Sequence, residues 1–537
     1  MKSNNKIIFS ILVLFLVLGL INSVSAESND ITLSNYGTVS DKLDLSYSNQ
    51  ITDGQENHVN EVHDDFSYSA SNVITEYVKS TNETPRIYVN GSYTGDTEDG
   101  SQANPYKDIA SAVTNANSGD EIFICNGDYT IKKTLTFDKS LSLVGEGNNV
   151  NINFVSNIYT QTKGDNNNFT FSNLNFKGYN ANAFTGALTL NNKNGYSIIK
   201  NCNFVDNRGK YLITSSSKST ILDNCTFDGC TFPMTQGSVI SFSGLSSDPN
   251  NPVVITIKNC IFRNINQTNY DDSKYNYGII NIQNGYSNVT IENISISQTN
   301  IIGNLIRFYT VKNFITAEVK NISIFNNTLK TSSTKGYGNI FYAAKSNFVV
   351  KDSIIYNNTL GNSFIYAYND YVNANFTNNV IYDNELDKYA NNASKGNYSA
   401  DYNWWGSNDK PELNIPINNW FVLTETHIPK TIVEGDDVIV LATFESVKDA
   451  ENNIVKVNTT IPDINVRFNI QNQGIIRDVK TSNGVAHVIF KPVSGENTVT
   501  VTAGNQVLTD TFTVTTNYIY VMRGILVMEV KNSHIKT

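Results

Sequence analysis

The chemistry this chain could perform on a saccharide rests on a few aspartates and tyrosines. Asp206, Asp228 and Asp383 recur at near-equivalent places in an internal repeat, and Asp271 and Asp272 stand side by side on its longest loop. Hydrolysis of a glycosidic bond takes two carboxylates roughly 5 to 10 Å apart. Residues one period apart meet when repeats stack, so Asp206 and Asp228 can face each other across adjacent coils. Little else in the repeat suits cleavage. All five histidines, His58, His63, His427, His487 and His534, lie outside the ordered stretch 85–420 that contains it, and the arginines of that stretch are few: Arg86, Arg208, Arg263 and Arg307. Tyr270, Tyr275 and Tyr277 flank the paired aspartates and offer another use. Aromatic rings stack on sugar faces while their hydroxyls hydrogen bond. The residue types favour holding a saccharide over cutting it. The ligand-binding candidates are the three tyrosines; if the chain is an enzyme, a lyase or glycosidase, the catalytic candidates are Asp206, Asp228, Asp271 and Asp272.

Five cysteines, Cys125, Cys202, Cys225, Cys230 and Cys260, leave at least one thiol unpaired, because the number is odd. Cys202, Cys225 and Cys260 each follow an asparagine at one place in the repeat. Stacked, they form a buried column of small hydrophobes. Cys225 and Cys230 are close enough in sequence to allow a disulfide. No CxxC or Cys/His spacing gathers metal ligands, so neither a metal site nor a cofactor is expected. His58 and His63 read as part of a solvated polar segment.

These residues are positioned by a repeat running from about 168 to 383. Asn201-Cys202-Asn203-Phe204, Asn224-Cys225-Thr226-Phe227 and Asn259-Cys260-Ile261-Phe262 are three of its copies. Later copies, such as Asn293-Ile294-Ser295-Ile296 and Asn321-Ile322-Ser323-Ile324, replace the aromatic ring with isoleucine. The spacing of roughly 23 to 35 residues is that of a stacked solenoid. A second motif keeps step. Gly186, Gly237, Gly278, Gly303, Gly338 and Gly361 each precede a short apolar run. Two such strands per period cannot close a core alone, but stacked coils about 4.8 Å apart can. Inward side chains then form ladders, with Phe176, Phe204, Phe227 and Phe262 in one of them. The runs are too short for helices and rich in Ile, Val, Phe and Tyr. The expected fold is all-β, a right-handed parallel β-helix of about ten coils over 85–420. A helix starting near Pro105 would cap its open end. Trp404, Trp405 and Trp420 cluster where the repeat stops and read as a plug.

The flanks differ in kind. Residues 1–26 carry Lys2 and Lys6, an apolar core and Val24-Ser25-Ala26, the pattern of a secretory signal peptide. Residues 27–84 read as a flexible polar linker. Over 421–516, strands alternate apolar and polar residues between turns such as Asn483-Gly484, as in an immunoglobulin-like β-sandwich. The tail, 517–537, holds an apolar stretch too short to span a membrane as a helix. With 537 residues, a net charge of −10 and no basic cluster, the chain is a poor partner for nucleic acid.

Tyr88-Val89-Asn90-Gly91, Asn104-Pro105-Tyr106, Gly127-Asp128-Tyr129, the repeated Asn-Cys-x-Phe coils and Asn403-Trp404-Trp405-Gly406 together resemble adhesin-like surface proteins of methanogenic archaea. That family joins a pectin-lyase-like β-helix to bacterial-type immunoglobulin-like repeats. The resemblance spans about 86–516. It implies a secreted or cell-surface protein whose partners are glycans or the surface of other cells. The chain departs from the family pattern in having a single sandwich repeat and no evident anchor. The pectin-lyase fold also hosts polysaccharide lyases and glycoside hydrolases, so the fold leaves an enzyme reading open.

Overall fold

The computed structural model describes residues 86–181, 183–232, 237–244, 246–267, 277–331, 336–368, 371–391 and 396–516, together with the backbone of strands Tyr518–Arg523 and Leu526–Lys531. The proposed signal peptide and linker, and with them His58 and His63, lie outside the described residues, as does His534.

The repeat folds into a parallel β-helix. One twelve-stranded sheet runs from Arg86–Val89 to Gly396–Ser399, and every strand in it pairs in parallel with the next. Twelve strands at ~4.8 Å make a rod of roughly 53 Å. A ten-stranded second sheet, from Leu135–Phe137 to Lys388–Asn391, holds the glycine-led strands. The Asn-x-x-Phe motif supplies three-residue strands, such as Asn203–Val205 and Thr226–Asp228, in a third sheet. Two-residue strands such as Arg208–Gly209 and Thr231–Phe232 follow them around the next corner. Each coil thus has more than the two strands expected. The first sheet was not visible as a separate element within the repeat. Its strands alternate apolar and polar residues over only five or six positions and run directly into the asparagine corner.

The alternation fixes what each strand does. Ile199, Leu222, Ile257, Ile291, Val319, Val350 and Phe376 stand in register on the first sheet and all point into the core. The neighbouring outward row runs Lys200, Asp223, Lys258, Glu292, Lys320. Its signs alternate as far as Lys320, and Lys258–Asp223 and Lys320–Glu292 pair at 3.4 and 3.2 Å. Lys351 follows Lys320 in the row and pairs instead with Glu318 at 2.8 Å, so these exposed pairs add only modestly to the native register.

Asparagine makes the corners. Asn173, Asn201, Asn224, Asn259, Asn293 and Asn321 have φ between 51° and 57°, the left-handed region that asparagine enters most readily among residues with a side chain. Their amides bond along the rod: Asn201 to Asn173 at 3.0 Å, Asn224 to Asn201 at 2.9 Å, Asn293 to Asn259 at 2.6 Å. The next residue turns inward, and that is where Cys202, Cys225 and Cys260 lie buried. Phe176, Phe204, Phe227 and Phe262 stack behind them with successive centroids 4.8 Å apart. Cys230 is on the following corner rather than in the cysteine column, and all five cysteines are free thiols. The disulfide allowed by the short Cys225 to Cys230 spacing is therefore not formed.

The helix covers the first coil but is shorter than expected, Ile109–Asn115. Asp108 caps it, its carboxylate accepting from the Ser111 amide at 2.8 Å. Ile109, Ala112 and Val113 face the core. Pro105 lies upstream of the cap, in the preceding loop.

At the other end, strand Asn419–Ile428 leaves the rod and becomes an edge of a two-sheet antiparallel sandwich. It pairs with Val438–Asp449, which pairs in turn with Ile454–Lys456 and Val485–Phe490. The facing sheet orders Ile432–Val433, Gln506–Thr515, Gly495–Ala503, Asn465–Ile470 and Ile475–Lys480. The long strand Gln506–Thr515 carries the apolar Val507 on its outward face, which blurs its alternation, while Leu508 packs against the core. The tail forms an antiparallel pair, Tyr518–Arg523 with Leu526–Lys531. Among the described residues no helix is long and apolar enough to cross a membrane.

Candidate functional site

Asp206 and Asp228 do not form the pair that stacking allows. Val205, not Asp206, stands opposite Asp228. Asp206 is the next residue, a left-handed corner with φ 52°, and its amide donates to the Asp228 carbonyl at 3.0 Å. Its counterpart one coil on is Gly229. A Cβ there would sit 2.3 Å from an Asp206 carboxylate oxygen, so a side chain at 229 would require Asp206 to shift. The apparent equivalence of the two aspartates was wrong by one residue. The Asp228 carboxylate is also committed. Arg263 bonds one oxygen through Nε and Nη2, each at 2.8 Å, and Asn264 donates to the other at 2.7 Å. Burial pushes this carboxyl up, but the bonds from Asn264 and Arg263 and the Arg263 charge outweigh it, and it stands below its ordinary range. A carboxylate held ionised in this way cannot deliver a proton. Tyr270, Asp271, Asp272 and Tyr275 lie outside the described residues.

Tyr277 lies on the outer face of the second sheet, beside a residue that the sequence did not single out. Arg307 is 4% exposed. It occupies a register row running Thr214, Ser241, Asn281, Arg307, Tyr342 and Tyr366. The rings of Tyr309, Tyr277 and Tyr342 face its guanidinium at 3.9, 4.6 and 5.5 Å. Its Nη1 donates to Asn281 Oδ1 at 2.8 Å, and Asn281 Nδ2 donates to Ser241 Oγ at 3.0 Å. Among the described residues no carboxylate pairs with it, and its Nε has no partner. Burial lowers its pKa while the surrounding phenols oppose that shift. The rings replace lost hydration by cation–π attraction, which is strongest where water is excluded.

An open groove of about 370 Å³ lies along the same face, a few strands toward the helix-capped end. Thr189, Thr214, Ser215, Ser241, Ser243, Asn191 and Gln283 line it, with Tyr211 and Phe184 on its walls. Phe184 is 75% exposed, and the Lys210 ammonium lies 3.5 Å from its ring centroid. Burial raises the Tyr211 phenol to about 12, the neighbouring Tyr277 adds to the shift, and Arg307 opposes it. Among the described residues the lining therefore offers hydroxyls, amides and the exposed ring of Phe184 beside the buried Tyr211, and no carboxylate. The only signal of it in the sequence was the run of Thr, Ser, Asn and Arg at alternate positions of the glycine-led strands.

Trp404 and Trp420 close the rod and offer no platform to a ligand, while Trp405 is half-buried against the rod's core. Trp404 and Trp420 are fully buried, and Trp420 Nε1 donates to the Asn408 carbonyl at 3.1 Å.

The registers define the fold class: a parallel β-helix followed by an immunoglobulin-like sandwich. No protein-family model and no curated protein matches the sequence. Among solved structures, the chain is similar to the pectate lyase Pel9A at 14% identity and TM-score 0.29, over 59% of this chain and 79% of that one. It is also similar to the catalytic domain of a GH87 α-1,3-glucanase in complex with nigerose, at 14% identity and TM-score 0.27, over 60% and 69%. A third likeness is to an Acinetobacter phage tailspike protein, at 13% identity and TM-score 0.28, over 75% and 85%. Likenesses this distant carry no argument about activity.

Proposed function

We propose that this protein is an adhesin-like binding protein, displayed outside the cell, that holds glycans on the outer face of its second sheet. One observation carries the reading. The groove is lined by neutral hydrogen-bonding groups and walled by Phe184 and Tyr211, with no carboxylate among its described lining residues. Such a surface can stack on a sugar ring and satisfy its hydroxyls. Among the described lining residues no carboxylate stands ready to protonate a leaving oxygen or to attack an anomeric carbon. Extracellular placement is supported by the signal-like start of the sequence and by the resemblance to surface adhesins.

A glycan array, run beside a reducing-end assay on neutral and acidic polysaccharides, tests it. Binding without product is expected. Phe184→Ala and Gln283→Ala should each weaken binding roughly tenfold, about 1.4 kcal/mol, and leave the melting temperature unchanged. Product that disappears in Asp271→Ala or Asp206→Ala would replace this reading with the lyase or glycosidase one.

A further inference from the structure

The sandwich contains a cluster that glycan binding does not use. Glu425 and His427 are two apart on strand Asn419–Ile428 and therefore share a face. Asp510 reaches them from Gln506–Thr515 in the opposite sheet. One ligand atom from each residue lies within 4.8 Å of the other two. His427 Nδ1 contacts Asp510 Oδ2 directly, and the His427 ring packs on Phe512 with centroids 4.8 Å apart. His427 is 9% exposed. Glu425 Oε1 is sealed from solvent and has no hydrogen-bond partner. Among the described residues no lysine or arginine ion-pairs with either acid; the nearby Lys430 ammonium donates to Thr426 Oγ1 instead.

Two carboxylates and an imidazole nitrogen, converging in a half-buried site with no lysine or arginine paired to either acid among the described residues, form a donor set for a metal ion. We propose that Glu425, His427 and Asp510 bind one divalent transition ion of the zinc class, and that the ion staples the two sheets together. The nitrogen donor decides the class. Calcium and magnesium take all-oxygen shells, whereas zinc and its neighbours in the first row accept imidazole with carboxylates. The position gives the staple a purpose. Strand Asn419–Ile428 leaves the rod with Trp420 in the solenoid core and reaches the sandwich edge at His427. Tying that edge to Gln506–Thr515 fixes it where it changes from one core to the other.

The test uses the full chain, stripped with chelator and titrated with zinc chloride by calorimetry, with cobalt(II) absorption as a second readout. The expected result is one ion per chain, a visible cobalt band of low-coordinate type, and a higher melting temperature with zinc. His427→Gln and Asp510→Asn should each weaken binding roughly tenfold or more, because each removes one of three ligands. Glu425→Gln keeps the side-chain shape and should weaken binding while the metal-free melt stays within a few degrees. No stoichiometric binding would overturn the proposal. So would zinc affinity that survives all three substitutions, or calcium binding that is as tight and insensitive to His427→Gln.

Discussion

A residue in a stacked coil is chosen twice, once for its own backbone and once for the residue above it. Asn224 shows both demands. Its φ of 52° costs an ordinary side chain roughly 1–2 kcal/mol, and its amide donates to Asn201 Oδ1 at 2.9 Å. Asn224→Ala should therefore lose about 1–2 kcal/mol, read as a lower urea midpoint, whereas Asn224→Gly should lose less because glycine enters this region freely. Equal losses would mean that the amide ladder matters more than the corner. The recurrence of asparagine was plain in the sequence, and so was the buried cysteine column behind it. The left-handed corner was not, because periodicity reports which residues repeat and not the dihedral they adopt. The same limit misaligned Asp206 with Asp228. Gly229 takes over the corner without announcing itself, so counting aspartates placed two different backbone positions in one row. Glu425, His427 and Asp510 were hidden for another reason: they meet only when two sheets close, and no local spacing encodes that.

At the scale of an element, sheets in a solenoid fail locally, because each coil touches only its neighbours. Phe227 lies between Phe204 and Phe262 in the parallel stack, with interplanar angles of 8° and 1°. Phe227→Ala removes a buried ring from a column with nothing to collapse into it, and roughly 3–5 kcal/mol should be lost. Hydrogen exchange should quicken in the coils around 204, 227 and 262 while the sandwich stays protected. The second sheet, through Tyr211, and the last strand of the first, through Tyr398, respond instead to alkali. Tyr211 and Tyr398 are raised by burial to about 12, against an ordinary value of 10. The folded chain keeps these phenols protonated after the unfolded chain has released its protons. Their contribution is thus complete below pH 10 and is lost as the pH rises through 12. Thermal melts between pH 8 and 11.5 should fall above 10, and Tyr211→Phe should flatten part of that fall. The second sheet's strands were legible as apolar runs after glycine. Their outward row was not, since Ser241, Asn281 and Arg307 read as ordinary polar surface until register stacked them.

At the scale of the molecule, the two folds share a seam. Trp404 follows the last coils in sequence, yet it packs with Val380 against sandwich residues, meeting Phe444 edge-on at 5.0 Å. Trp420, on the strand that begins the sandwich, is instead part of the rod's core. Polar contacts repeat the exchange. Asn505, in a sandwich turn, donates its backbone amide to the Gly406 carbonyl at 2.9 Å and its side-chain amide to Asp383 Oδ1 at 2.6 Å. Each fold therefore covers apolar surface that the other would leave wet. An open coil end is the weakest place in a solenoid, because its strand edges and core are both unpaired. The helix Ile109–Asn115 guards one end, and the sandwich guards the other. Trp404→Ala should cost roughly 3–5 kcal/mol, and the loss should appear on both sides of the seam. Hydrogen exchange should quicken over 372–404 and also in Val438–Asp449, and a single unfolding transition should separate into two. If only the rod responds, Phe444 and its neighbours close the sandwich without help. The two folds would then be joined by the chain alone, and glycan held on the rod would be mechanically uncoupled from whatever the sandwich contacts.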